Sequence, residues 1–307
     1  MQRSTSRILT THTGSLPRWS PQLQDLLRQR EEQSVLDPGA FESGVREAVA
    51  EVVGRQADIG LDVINDGEQG RAQYATYVKE RLSGFEGERA VRLSHPRDVA
   101  DFPEYAAAHR TSAAMPQPSC TGPITRRDRE AIHNDIDRLK TALRGRTPGE
   151  VFMSAPSPGV IAHFLPNDYY PDDEAYLYAL ADAMKGEYQA VVDAGFVLQL
   201  DCPDLAMTRG YRYADLTLRE FKAVAAMHLE VINHALEDLP PDRLRMHLCW
   251  GNYEGPHHHD VPLAELVPLL LRARPAAISV EGANPRHAHE WKVWAEVDLP
   301  DDKILIP

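Results

Sequence analysis

A chain of 307 residues, 43% hydrophobic and 26% charged, can bury a large core and suits either two ordinary domains or one α/β barrel. Its formal charge of -13, with no basic stripe, excludes nucleic acid as a partner. No apolar run approaches the ~18 residues of a membrane span, nothing resembles a signal peptide, and three cysteines are too few for a disulfide framework. The expectation is a cytoplasmic protein with no membrane partner, and the composition leaves a homo-oligomer open.

In chain order, Arg7 to Thr13 (RILTTHT) reads as a strand ending in the turn Gly14-Ser15-Leu16-Pro17. Val45, Ala48, Val49, Val52 and Ile59 recur at helical spacing, Gly60 closes that helix, and LDVIND (Leu61 to Asp66) follows as a strand ending at Gly67-Glu68. Residues from about 72 to 150 are irregular. Pro96, Pro103, Pro116, Pro118 and Pro123 interrupt any pattern there, and the expectation is an insertion with one short helix, Arg127 to Leu143. Order returns with the strand Val151 to Ala155, a helix over Leu177 to Val191 stopped by Gly195, and the strand Phe196 to Leu200, which delivers Asp201. A helical stripe from Leu218 to Ile232 stops at Pro240-Pro241, before the stretch Leu244 to Gly251 (LRMHLCWG). Last come the run His257-His258-His259, a short helix from Leu263 to Arg274, the strand Ala276 to Val280 ending in Glu281, and the strand Lys303 to Ile306. Seven strands alternating with helices predict a parallel sheet and a single (β/α)8 barrel over 1–307, here without its eighth strand and last helix. The competing architecture, a doubly wound sheet, would carry a glycine-rich phosphate turn after its first strand, and GSLP is not one.

Barrel active sites form at the C-terminal ends of the strands. Residues two apart on a strand share a face, so His247 and Cys249 project together as half a metal site, with a donor set suited to zinc. Glu281, ending the next strand, supplies a carboxylate; its competing role is an ion pair with Arg286. Adjacent residues of a loop diverge, so the three consecutive histidines read as a solvated loop. His287 and His289 read as the start of the following helix, and Cys120 and Cys202 as buried small residues. Glu68 and Asp201 face the same mouth and suit a substrate ammonium, while backbone N–H groups at Gly14 and the hydroxyl of Ser15 suit a carboxylate. Together these describe a pocket for an amino acid.

The stretches THTGSLPR, DVINDGEQGR, CTGPI, SAPSPGV, LQLDCPDL, MHLCWGNYEGPHH and ISVEGANPRHAHEW, spread over nearly the whole chain, resemble the catalytic barrel of the cobalamin-independent methionine synthase family. The resemblance implies Zn2+ held by His247, Cys249 and Glu281, with a distant second cysteine and a proton donor expected beyond Pro307. It implies an amino-acid substrate held by Gly14-Ser15, Glu68 and Asp201, with Glu281 and Asp201 as the catalytic acids. The implied reaction is methyl transfer to a small-molecule thiol acceptor, homocysteine giving methionine, through a zinc-bound thiolate, from methylfolate or another methyl donor. Shorter single-barrel relatives imply an alternative, epoxide-opening alkyl transfer to coenzyme M or another small thiol, and the missing eighth strand favours another, a truncated, inactive metal- or thiol-binding homologue.

Overall fold

The computed structural model describes residues 1–31, 37–91, 97–108, 115–252 and 254–307; Pro96 and Tyr253 lie outside the described residues. Its strands are β1 (Val63–Ile64), β2 (Gly87–Val91), β3 (Met115–Ser119), β4 (Glu150–Pro156), β5 (Val197–Asp201), β6 (Leu244–His247), β7 (Ala277–Ser279) and β8 (Ile304–Ile306). Six of them form one parallel sheet in the order β1-β4-β5-β6-β7-β8, while β2 and β3 form a separate antiparallel pair. Each strand of the sheet lies beside its predecessor with no reversal of order, as in the wall of a (β/α)8 barrel. A doubly wound sheet would reverse at a switch point, so that alternative is removed.

The helices form for reasons visible in their ends. Asp37 caps Pro38–Asp58 through Gly39 and Ala40, and Gly60 adopts φ 80° just beyond it. Asp172 caps Asp173–Asp193 through the N–H of Ala175, and a reciprocal Thr217–Glu220 box opens Leu218–Ala235. The buried stripes of these helices, such as Leu177, Leu180, Met184 and Tyr188, pack into one core with β4 to β7. All five residues of β5 are buried, as expected of a strand covered on both faces.

Three expectations change. The segment Arg7 to Thr13 is not a strand: the Asp62 and Val63 N–H groups both donate to the Thr10 carbonyl, and the rest of its backbone is held by side chains. Gln199 Nε2 donates to the Thr13 carbonyl at 2.6 Å, Arg245 donates to the His12 carbonyl at 2.9 Å, and Asp62 accepts from the Thr10 N–H at 2.8 Å. Second, the insertion holds more than one helix. Besides Ala131–Ala142 it contains the β2–β3 pair, a 3-10 turn at Arg97–Asp101 and the helix Pro103–Ala108. Third, β6 ends at His247, and Cys249 follows in irregular chain, although the Leu248 N–H still donates to the Ser279 carbonyl of β7 at 2.9 Å.

Candidate active site at the strand ends

Asp201 and His247 are register partners on β5 and β6, and His247 is in turn opposite Ser279 on β7, so the strand ends bring these side chains to one mouth. The His247 Nδ1 atom is buried and has no hydrogen-bond partner, and burial pulls this imidazole down to about 4, a neutral ring. Cys249 is a free thiol that burial pushes up to about 12, with Glu281 and Asp201 adding to the rise. Glu281 accepts from the Trp250 N–H at 3.3 Å and from Asn284 Nδ2 at 2.7 Å. It does not pair with Arg286, whose guanidinium reaches Glu254 instead. A neutral imidazole with a buried orphan nitrogen, with a thiol two residues on and a carboxylate that raises that thiol, is a donor set that a soft divalent cation would satisfy. The donor atoms of His247, Cys249 and Glu281 do not all lie within 4.8 Å of one another; among the described residues the group that does is Asp101, His258 and His259.

The second half of the mouth is acidic. Glu68 is 3% exposed and adopts φ 56°, alone among the described non-glycine residues in having positive φ. Its carboxylate accepts from Ser154 Oγ at 2.6 Å, and Arg71 donates to the same hydroxyl at 3.2 Å. Asp201 accepts from Gln199 Nε2 at 2.7 Å. Its carboxyl is held well above the usual range, first by burial and then by the nearby charge of Glu68. Gly14, at φ 136°, leaves room for this arrangement: a Cβ there would lie 3.0 Å from Glu68 Oε1. The Gly14 N–H already donates to His12 Nδ1, so its contribution is the close approach of backbone to Glu68, and the exposed Ser15 stands beside it.

Several residues at the mouth escaped the sequence reading. Arg245 donates to Gln199 Oε1, Thr11 Oγ1 and the His12 carbonyl, and its guanidinium lies 3.5 Å from the Phe152 ring centroid. Gln199 and Arg245 sit two residues before Asp201 and His247, so the period of two could have found them. The Tyr74 hydroxyl is raised by burial and by Cys249, Asp201 and Glu68, which places it in the same electrostatic neighbourhood; it comes from a loop, where no period points to it. Below the mouth, Asp204 accepts from Ser157 Oγ and pairs with His228 Nδ1 at 2.8 Å. His287 stacks on Trp250 at 3.9 Å and bridges Asp260 and Glu290 at the start of a 3-10 turn. Cys120 and Cys202 are buried, as read.

The loop His257-His258-His259 is partly solvated, as read, but its neighbouring residues do not simply diverge. His257 turns to Asp260, whereas His258 and His259 converge on Asp101 of the insertion, because that segment folds against the loop after β6.

Residues 8–94 match the family model described as the cobalamin-independent synthase catalytic domain. An uncharacterized protein of Bacillus subtilis is 26% identical over 80% of this chain and 62% of its own length. The methionine synthase of Saccharolobus solfataricus is 23% identical over 96% of this chain and 82% of its own. Among solved structures, a B12-independent methionine synthase from a Shewanella species in complex with selenomethionine superposes with a TM-score of 0.66 at 19% identity, covering 97% of this chain and 89% of that one. The chain thus spans about three fifths of the Bacillus relative's length. No described helix is long and apolar enough to cross a membrane.

Proposed function

We propose that the chain is a member of the cobalamin-independent methionine synthase family, which it resembles in residues 8–94 and in fold, and that its single barrel, elaborated over about 72–150, transfers a methyl group to homocysteine, using zinc at His247, Cys249 and Glu281. The observation that carries this reading is the buried, unpartnered Nδ1 of His247, two residues before a Cys249 thiol that feels the charges of Glu281 and Asp201, with Asp201 in turn raised by Glu68. Zinc, when bound, lowers the pKa of a substrate thiol so that the sulfur is nucleophilic at neutral pH.

This chain's own groups do the rest. Glu281 is oriented by Trp250 and Asn284 as the carboxylate ligand. Glu68 and Asp201 hold the substrate ammonium, each through an oxygen that its Ser154 or Gln199 hydrogen bond does not use. Arrival of that cation draws the raised Asp201 carboxyl into its ionised form, so substrate binding expels a proton. Ser15 and the backbone beside it hold the substrate carboxylate. The sulfur–carbon bond forms as the methyl–nitrogen bond of a methylated pterin breaks, and the pterin nitrogen takes up a proton.

The test joins metal content to turnover. Zinc-replete protein should transfer a labelled methyl group from methyltetrahydropteroyl glutamates to homocysteine in preference to coenzyme M, and Cys249→Ala should lose one equivalent of zinc and all transfer. Unchanged zinc stoichiometry in Cys249→Ala would refute the ligand assignment. Epoxide opening with coenzyme M in place of methyl transfer would refute the substrate assignment.

A further inference from the structure

We propose that Asp101, His258 and His259 form a second divalent-cation site, suited to zinc, that clasps the insertion to the loop after β6. His258 Nε2 and His259 Nε2 each lie 2.8 Å from the same oxygen, Asp101 Oδ2, and the three ligand atoms lie within 4.8 Å of one another. Zinc bonds of about 2.0–2.1 Å in a tetrahedron place ligand atoms roughly 3.3 Å apart. Each nitrogen therefore needs to open from the carboxylate oxygen by only about half an ångström. All three side chains are partly exposed, which gives a cation an entry path and leaves a coordination position for water.

A second observation points the same way. The other nitrogen of His258, Nδ1, lies 3.1 Å from Asp98 Oδ1, and the Asp98 side chain is only 2% exposed. The same Asp98 oxygen accepts the His259 backbone N–H at 2.6 Å. A carboxylate at Nδ1 favours the tautomer with its proton on that nitrogen and leaves Nε2 to face a metal. A buried carboxylate fixing Nδ1–H and aiming Nε2 at the ligand cluster is the outer-shell support that metal-bound histidines use. Asp98 therefore selects the ligating nitrogen.

The site would join parts of the chain that lie far apart in sequence. Asp98 and Asp101 belong to the 3-10 turn Arg97–Asp101, and the helix after it adds a hydrogen bond from the Tyr105 hydroxyl to the Glu254 carbonyl at 2.8 Å. A cation across this junction would fix the insertion beside the loop that carries Cys249. It is independent of the His247, Cys249 and Glu281 assignment, because it shares no ligand with it.

The experiment is cobalt titration of the full chain in Cys249→Ala, which removes the thiolate donor at the strand ends. The expected result is visible d–d absorption of a low-coordinate ion without thiolate charge transfer, saturating at one ion per chain. Asp98→Asn should weaken that affinity by about 10–100-fold. Asp101→Asn, an exposed and isosteric change, should abolish saturable binding with the circular dichroism unchanged. Zinc should also slow proteolysis within the insertion of the parent protein but not of Asp101→Asn. Failure of Cys249→Ala to bind cobalt, or equal binding after Asp101→Asn, would overturn the proposal.

Discussion

Replacing Arg245 by methionine tests whether the loop carrying Gly14 and Ser15 is held by the floor of the barrel. Burial pulls this guanidinium down to about 10, so it remains charged at neutral pH. It donates to Gln199 at 2.7 Å, to the His12 carbonyl at 2.9 Å and to Thr11 at 3.1 Å. Methionine replaces much of the stem volume, so a cavity contributes little. The loss comes from leaving three neutral acceptors without their donor, and at about 1–3 kcal/mol for each acceptor left buried and unsatisfied the total is about 3–5 kcal/mol. For a domain of this size that is a fall in melting temperature of roughly 5–8 °C. Gln199 also loses its anchor, and with it the hydrogen bonds to the Thr13 carbonyl and Asp201. The homocysteine KM should therefore rise together with the loss of stability. Calorimetry of the variant beside the parent, with steady-state kinetics on the folded fraction, reads both. A melting temperature within experimental error of the parent, with KM unaltered, would refute the claim that Arg245 organises the loop.

Asp201→Asn should abolish the proton release on homocysteine binding, measured calorimetrically in buffers of different ionisation enthalpy; release persisting in the variant would assign it elsewhere. Since the folded Asp201 carboxyl is raised, the native state holds a proton that the unfolded chain gives up, so this group costs stability as pH climbs above its unfolded value of about 3.9. The same variant should flatten that loss. The two acceptors of His287 outweigh burial and raise its imidazolium to about 9. Its contribution is full below the unfolded value of about 6.5 and is lost as pH rises through about 9, so the stability gap between parent and His287→Gln should close across that interval. Parallel pH–melting curves would contradict this. Gly159→Ala would put a Cβ 2.0 Å from Asp204 Oδ2 and 2.5 Å from His228 Nδ1, and the overpacking should cost about 1–3 kcal/mol or more in urea unfolding; an unchanged midpoint would show that the pair can move aside.

The residues that end the strands were legible because they obey a simple rule. Hydrophobic runs such as Phe196 to Leu200 and Ala276 to Val280 stop where the chain turns polar, and in parallel strands those stops fall side by side. Asp201 and His247 became neighbours for that reason. The Arg7 to Thr13 segment carries the same local pattern without forming a strand, because its carbonyls are taken by Gln199 and Arg245, which are nearly two hundred residues or more away. Local pattern contains no record of such partners. The β2–β3 pair was hidden for a different reason. Pro116 and Pro118 read as breakers, yet they oppose Ala90 and Glu88 in a two-stranded ladder, where alternate residues of an edge strand need no inward donor. The convergence of His258 and His259 likewise depends on Asp101, whose place beside them follows from the fold of the insertion.

Glu68 carries a backbone preference that its side chain does not share. The left-handed region costs a residue with a Cβ about 1–2 kcal/mol, and here the Arg18 guanidinium bonds the Glu68 carbonyl while Ser154 orients the carboxylate. Selection for heat resistance alone would therefore pull this position toward glycine or asparagine, whereas selection for turnover would pull it back. Laboratory evolution under alternating pressures should show that oscillation at position 68 before it shows it elsewhere at the mouth, making one codon a record of which demand the population last faced.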